Sequence, residues 1–163
     1  MKQGFDFLKC RSITEKIDLN EIEEELNFTL PPIFKLFVEN FHYSSDAIIL
    51  ESHFDKLREI TVPSEAIIFS PSKEWGNPIY FDCFLDIMDL IEKVKEAQDT
   101  SDWIDMNLLV IGYTTVDSRI CIRCNEKNID EIWEVNDDSV NKYKFLAKNI
   151  FEFIRGFNST KDH

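Results

Sequence analysis

Apolar residues recur along this chain at two different periods, and the switches between the periods mark out its secondary structure. Leu19, Ile22 and Leu26 fall on one side of a helix while Glu21, Glu24 and Glu25 fall on the other, which predicts a short amphipathic helix. Asp18 stands where a capping carboxylate belongs, Glu21 has capping-box spacing from it, and Ile17 and Ile22 are spaced as a hydrophobic staple. Leu30-Pro31-Pro32 ends that helix, because proline has no N–H to give an interior turn, and opens the next. Ile33, Phe34, Phe37, Val38 and Phe41 then repeat at three- and four-residue spacing, which predicts a helix facing the core.

Beyond it the period shortens. Ala47 to Leu50 and Ala66 to Phe69 are short β-favouring runs, separated by a polar stretch with His53, Asp55, Lys56 and Pro63. Ser70 to Pro78 is dense in breakers and reads as a loop carrying Trp75. Asp86 is placed to cap a third helix bearing Ile87, Leu90, Ile91 and Val94, and the polar run Gln98 to Asp102 is expected to end it. Leu108 to Tyr113, Arg119 to Asn125 and Ile129 to Val135 predict three strands of an antiparallel meander. A last helix is predicted from about Asn141 to Arg155, with Leu146, Ile150, Phe153, Ile154 and Phe157 inward and Gly156 as terminator. That stretch also holds the main concentration of positive charge, at Lys142, Lys144, Lys148 and Arg155. Helices and strands in this order predict an α+β fold, a mainly antiparallel sheet packed with about four helices.

Length and composition bound this picture. With 163 residues, 44% apolar content and no repeat or linker, residues 1–163 are expected to form one domain whose core covers about 15–157. Asp6 and Lys9 interrupt the opening residues, so no signal peptide is expected, and apolar runs such as Leu108 to Ile111 are too short to span a bilayer. The expectation is a cytoplasmic protein whose four cysteines, Cys10, Cys83, Cys121 and Cys124, are thiols. The net charge is −13, which repels nucleic-acid phosphates and anionic membranes; neither is an expected partner, and a basic protein is. Acidic surfaces also serve solubility alone, so charge by itself names nothing.

The common chemistries find little support. Phosphate-binding loops need clustered glycines, and Gly4, Gly76, Gly112 and Gly156 are scattered. Cys121 and Cys124 have CxxC spacing but fall in a predicted strand, where side chains three apart point to opposite faces, so they read as core or half-buried thiols. His42, His53 and His163 are isolated, and no nucleophile motif supports a Cys10–His42 or His53–Asp55 pairing. Asp99, Asp102 and Asp105 lack the spacing and central glycine of a calcium loop. No catalytic, metal-ligating or cofactor-binding residue is therefore assigned, and no cofactor is expected. An enzyme using Asp82, Asp86 or the carboxylates near Trp75 is retained as an alternative that would need a cleft holding a shifted carboxylate.

The stretch from Ile22 to Asn40, an acidic helix, a Leu-Pro break and an aromatic-rich second helix, resembles the opening of the SUKH superfamily, also called the Smi/Knr family. Leu109-Val110-Ile111-Gly112-Tyr113, Arg119-Ile120-Cys121-Ile122 and Ala147 to Ile154 are similar, in order, to the family's strand-Gly, paired strand and closing helix. The similarity covers about Ile17 to Phe157, and it departs at Asn40-Phe41, where family members often have Asn-Gly and a tight turn. The resemblance implies protein recognition without shared catalytic residues. Many bacterial members look to be immunity proteins that neutralise a toxin domain, often a nuclease, and fungal relatives act as regulatory scaffolds. On that basis the expected partner is a basic toxin domain, with an endogenous protein as the alternative. Exposed carboxylates beside aromatics are the expected contacts: Glu74, Trp75, Asp102, Trp103 and Asp105, with ordinary core as the competing role for both tryptophans.

Overall fold

A computed structural model describes residues 3–43, 67–69 and 79–159. The predicted strand at Ala47 to Leu50, the Trp75 loop, His53 and His163 lie outside the described residues. Helix α1 (Leu19–Leu26) starts as the sequence predicts: the Asp18 carboxylate accepts the N–H groups of Asn20 at 3.0 Å and Glu21 at 3.4 Å. It stops at Asn27, which turns left-handed at φ 47°. Helix α2 (Pro32–Asn40) opens on proline, and helix α3 (Ile87–Glu96) is capped by Asp86 through the N–H groups of Met88 and Asp89. Two shorter helices follow, α4 (Ser101–Met106) and α5 (Ile150–Arg155).

Strands β1 (Leu8–Cys10) and β2 (Phe41–Tyr43) form a small antiparallel ribbon. Strands β3 (Ile67–Phe69), β4 (Ile79–Phe84), β5 (Leu108–Thr114), β6 (Arg119–Arg123), β7 (Ile132–Val135), β8 (Tyr143–Ala147) and β9 (Phe157–Ser159) make one antiparallel sheet in the order β8-β7-β6-β5-β4-β3-β9. The predicted meander is β5-β6-β7. Gln3 bridges to Asn158 outside β9, whereas among the described residues β8 has no strand beyond it.

Two expectations are corrected. The helix expected from Asn141 to Arg155 is a strand followed by a helix: Tyr143 to Ala147 add to the edge of β7, and Asn149 then caps α5 by accepting the N–H of Glu152 at 3.0 Å. A strand of this composition wins because β7 offers a partner for its backbone groups, a non-local term that periodicity does not contain. The polar run Gln98 to Asp102 does not simply terminate α3; Thr100 caps α4, its hydroxyl accepting the Trp103 N–H. Gly156 ends α5 without a left-handed turn, at φ −80°; its need for glycine is space, since a Cβ there would lie 2.5 Å from the Phe69 ring. At Asn40-Phe41 the tight turn is absent, and α2 runs directly into β2 through extended Phe41.

The main core lies between the sheet and helices α1, α2, α3 and α5. Its centre is a run of phenylalanines: Phe81, Phe84, Phe153 and Phe157 meet one another at ring distances of 4.7–6.3 Å, and Phe37 joins through Phe84 at 5.2 Å. A smaller cluster holds buried Leu108, Cys121 and Val135 with Met106, Val110, Trp133 and Tyr143 against them. The two cysteines of the CxxC spacing divide between these clusters as strand alternation requires, Cys121 in the smaller and Cys124 against the larger. Burial raises the pKa of both thiols, Cys124 to about 12.

One tie fixes α2 to the sheet from far along the chain. Pro31 and Pro32 supply no side-chain cap, and the Asp130 carboxylate takes their place by accepting the N–H of Phe34 at 2.9 Å and of Ile33 at 3.3 Å. Asp130 is itself buried and left-handed at φ 73°, just ahead of β7.

Candidate functional site

Helix α4 and the β7–β8 hairpin are joined by a mesh of charge centred on Asp102. Thr100 and Asn107, the latter left-handed at φ 53°, cap the two ends of α4, and this short helix sets Asp102 inward at 4% exposure. Arg119, at the start of β6, donates from Nε to Asp102 Oδ2 at 3.0 Å and from Nη1 to Asp137 Oδ2 at 2.9 Å. Lys142, ahead of β8, lies 3.1 Å from Asp102 Oδ1 and 3.2 Å from Asp137 Oδ1, and donates to the Ser101 hydroxyl at 3.3 Å. The Lys142–Asp102 contact is an ion pair without hydrogen-bond alignment, which leaves the buried Oδ1 with no aligned donor. Tyr143 completes the join by donating its hydroxyl to Asp105 at 2.9 Å, while Lys142 Nζ sits 5.0 Å from its ring centroid.

The electrostatics follow from these contacts. Burial works against the charge on Arg119, but the carboxylates of Asp137 and Asp102 outweigh it and raise the guanidinium pKa. Lys142 is likewise raised, burial being overcome by Tyr143, Asp102 and Asp137. The Arg119 hydrogen bond holds Asp137 below its ordinary value, and burial with the Asp105 bond raises Tyr143. Both cations are committed inward, and Asp105, Asp137 and Asp138 face solvent.

Beside the mesh, a second group occupies the same sheet face. Glu131 Oε2 accepts from Arg123 Nη1 and Trp133 Nε1, both at 3.1 Å, and the guanidinium lies 5.2 Å from the Trp133 ring centroid. Trp133 meets Phe145 of β8 edge to face at 5.5 Å, and Phe145 is exposed. A cleft of about 290 Å³ opens between α3 and the mesh, lined by Lys93, Glu96, Ser101, Asp102, Arg119 and Asp137 among others.

The sequence-predicted contacts fare differently. Glu74 and Trp75 lie outside the described residues. Asp102 is not the exposed carboxylate expected; it is buried, because two cations converge on it. Trp103 is half-buried against the main core, its ring 5.5 Å from Phe28. Asp105 is exposed, beside Tyr143. Arg119, Lys142 and Tyr143 were not anticipated, since they reach α4 from 17 to 41 residues away, and neither was Asp137, which joins through Arg119 and Lys142; no local spacing announces them. Trp133 had a legible signal: with Glu131 two residues earlier and Arg123 on the preceding strand, all three fall on one face of a hairpin. Asp86, one of the alternative catalytic carboxylates, is occupied as the cap of α3.

The fold is α+β, an antiparallel sheet packed with helices, with acidic and aromatic side chains side by side on α4 and the β7–β8 hairpin. The chain belongs to the SMI1 / KNR4 family (SUKH-1), whose model matches residues 14–156. It is also similar to an uncharacterized protein of Dictyostelium discoideum, 25% identical over 95 residues, which cover 55% of this chain and 10% of that one. The chain thus spans about a tenth of the length of the curated relative it matches. No solved structure matches. Among the described residues no helix is long and apolar enough to cross a membrane.

Proposed function

We propose that this chain is a cytoplasmic, non-catalytic immunity protein that binds and neutralises a basic toxin domain such as a nuclease. The observation that carries the reading is the arrangement around α4, where Arg119 and Lys142 are drawn into ion pairs with Asp102 and Asp137 and the carboxylates of Asp105 and Asp138 are left outward. A nuclease must be basic to hold phosphates, so an inhibitor of net charge −13 is steered onto it and competes for the same surface. Membership of SUKH-1 supports the same role. Co-expression with a toxin encoded beside this gene tests it: cells should survive, and equal killing with and without this chain refutes the reading. Association should also slow as salt is raised.

A second reading is a regulatory scaffold for an endogenous partner. It draws on the Dictyostelium match, in which the similar region is a small part of a far longer chain. Affinity capture that returns housekeeping proteins reproducibly, from a gene with no toxin beside it, would favour the scaffold.

A further inference from the structure

The outward side of α4 and the turn of the β7–β8 hairpin carry two large apolar side chains in solvent, Ile104 at 73% exposure and Val140 fully exposed. They flank the bridges from Lys142 to Ser101 and from Tyr143 to Asp105, which tie helix and hairpin together. Asp105 on α4 and Asp138 in the hairpin turn are exposed, while Arg119 and Lys142 are paired with Asp102 and Asp137. At the edge of this surface the cleft is lined by Ser101, Asp102 and Asp137, the two carboxylates already paired with Arg119 and Lys142. We propose that this surface, Ile104 and Val140 beside Asp105 and Asp138, is where the basic partner docks.

The proposal rests on the immunity reading and names its face. Exposed apolar groups beside carboxylates give a contact that excludes water, and the carboxylates select the sign of the partner. The internal ion pairs hold α4 and the hairpin in place before binding, so less ordering is required when the partner arrives. Substituting lysine at either apolar position removes the contact and opposes a basic partner together.

The test measures binding of the purified full chain to the purified toxin domain encoded beside its gene. Ile104→Lys, Val140→Lys and Ser101→Arg, the last placing a cation at the cleft mouth, are compared with Ile13→Lys and Met88→Lys. The control positions are 85% and 70% exposed, and the lysine controls carry the same change of net charge at another place. The α4 and hairpin variants should weaken binding by about tenfold or more, and the controls by less than about threefold. Thermal melts show that each variant is folded, and the high exposure of Val140 leaves little for its substitution to disturb. A complex that binds all five variants alike overturns the docking face and leaves the immunity reading standing. Failure of the unaltered chain to bind overturns both.

Discussion

Replacing Asp130 should destabilise the fold by an amount that can be apportioned. The Asp130→Ala change removes the acceptor from two α2 N–H groups. The Phe34 bond is buried and short at 2.9 Å, and the Ile33 bond is partly buried and longer at 3.3 Å. Orphaning such donors costs about 1–3 kcal/mol for the first and less for the second. Against this, burial raises the Asp130 pKa despite both bonds, so removing the carboxylate also relieves a desolvation cost. Alanine at φ 73° then adds about 1 kcal/mol of backbone strain that aspartate tolerates better. The net loss should be about 3 kcal/mol, or about 6–12 °C in Tm for a chain of this size.

Asp130→Gly loses the same hydrogen bonds without the strain and should recover about 1 kcal/mol of the deficit. Asp130→Asn keeps one acceptor and should be the mildest of the three. Urea unfolding with unchanged m-values measures the series, and hydrogen exchange at Ile33 and Phe34 locates it. The sign with pH also follows: because the folded pKa is raised, the stability linked to this group is fully present below the ordinary value of 3.8 and lost as pH rises through the folded value. The wild-type advantage over Asp130→Ala should therefore widen as pH falls through that window. A loss below about 0.5 kcal/mol would refute the remote cap, and Gly worse than Ala would refute the strain argument.

Asp102→Ala leaves Arg119 and Lys142 partly buried around a missing charge and should cost about 2–3 kcal/mol, whereas Asp102→Leu combined with Arg119→Met should cost less than the two singles together; additive urea midpoints would contradict this. Gly112→Ala should cost about 3 kcal/mol, because its Cβ would stand 2.4 Å from the Cys83 carbonyl oxygen where β4 and β5 close on each other, and a Tm within a degree of wild type would show that the strands can part. Asp137, held down by Arg119, contributes stability above pH 3.8 that is lost as pH falls through its lowered value; being largely exposed it should contribute under about 1 kcal/mol, seen as a wild-type advantage over Asp137→Asn that disappears in strong acid. Thiol labelling of the native protein should modify exposed Cys10 promptly and spare Cys121 and Cys124 until unfolding, with mass spectrometry reading each site.

The features legible in the sequence are those set by neighbours along the chain. Asp18 and Asp86 announce their helices because a cap is read three residues away, and the β5-β6-β7 meander is read from alternating apolar runs with short connections. Tyr143 to Ala147 failed for the opposite reason. Leu146 and Ile150 have helical spacing, but the edge of β7 supplies hydrogen bonds for an extended backbone, and that partner lies outside any local window. Strand β4 escaped for a related reason: Ile79, Phe81 and Phe84 face the core across a bulge, which breaks strict alternation.

The candidate site makes the same division at the level of charge. A count of acidic and basic residues gives the sign of the whole molecule, and it would have placed the basic stretch from Lys142 onward as a locally positive patch. Folding reverses part of that local sign. Lys142 is drawn onto Asp102 and Asp137, Arg119 is drawn onto the same two carboxylates, and Lys144 stands opposite Glu134 in the β7–β8 register. Each pairing crosses between elements, so it depends on the order of strands and the seat of α4, and neither can be counted from composition. Charge left over after such pairing is what a partner meets. On the outer side of α4 and the hairpin turn it is the negative charge of Asp105 and Asp138. The acidity that by itself named no partner becomes specific there, because the fold has turned the cations inward beside two uncovered apolar side chains.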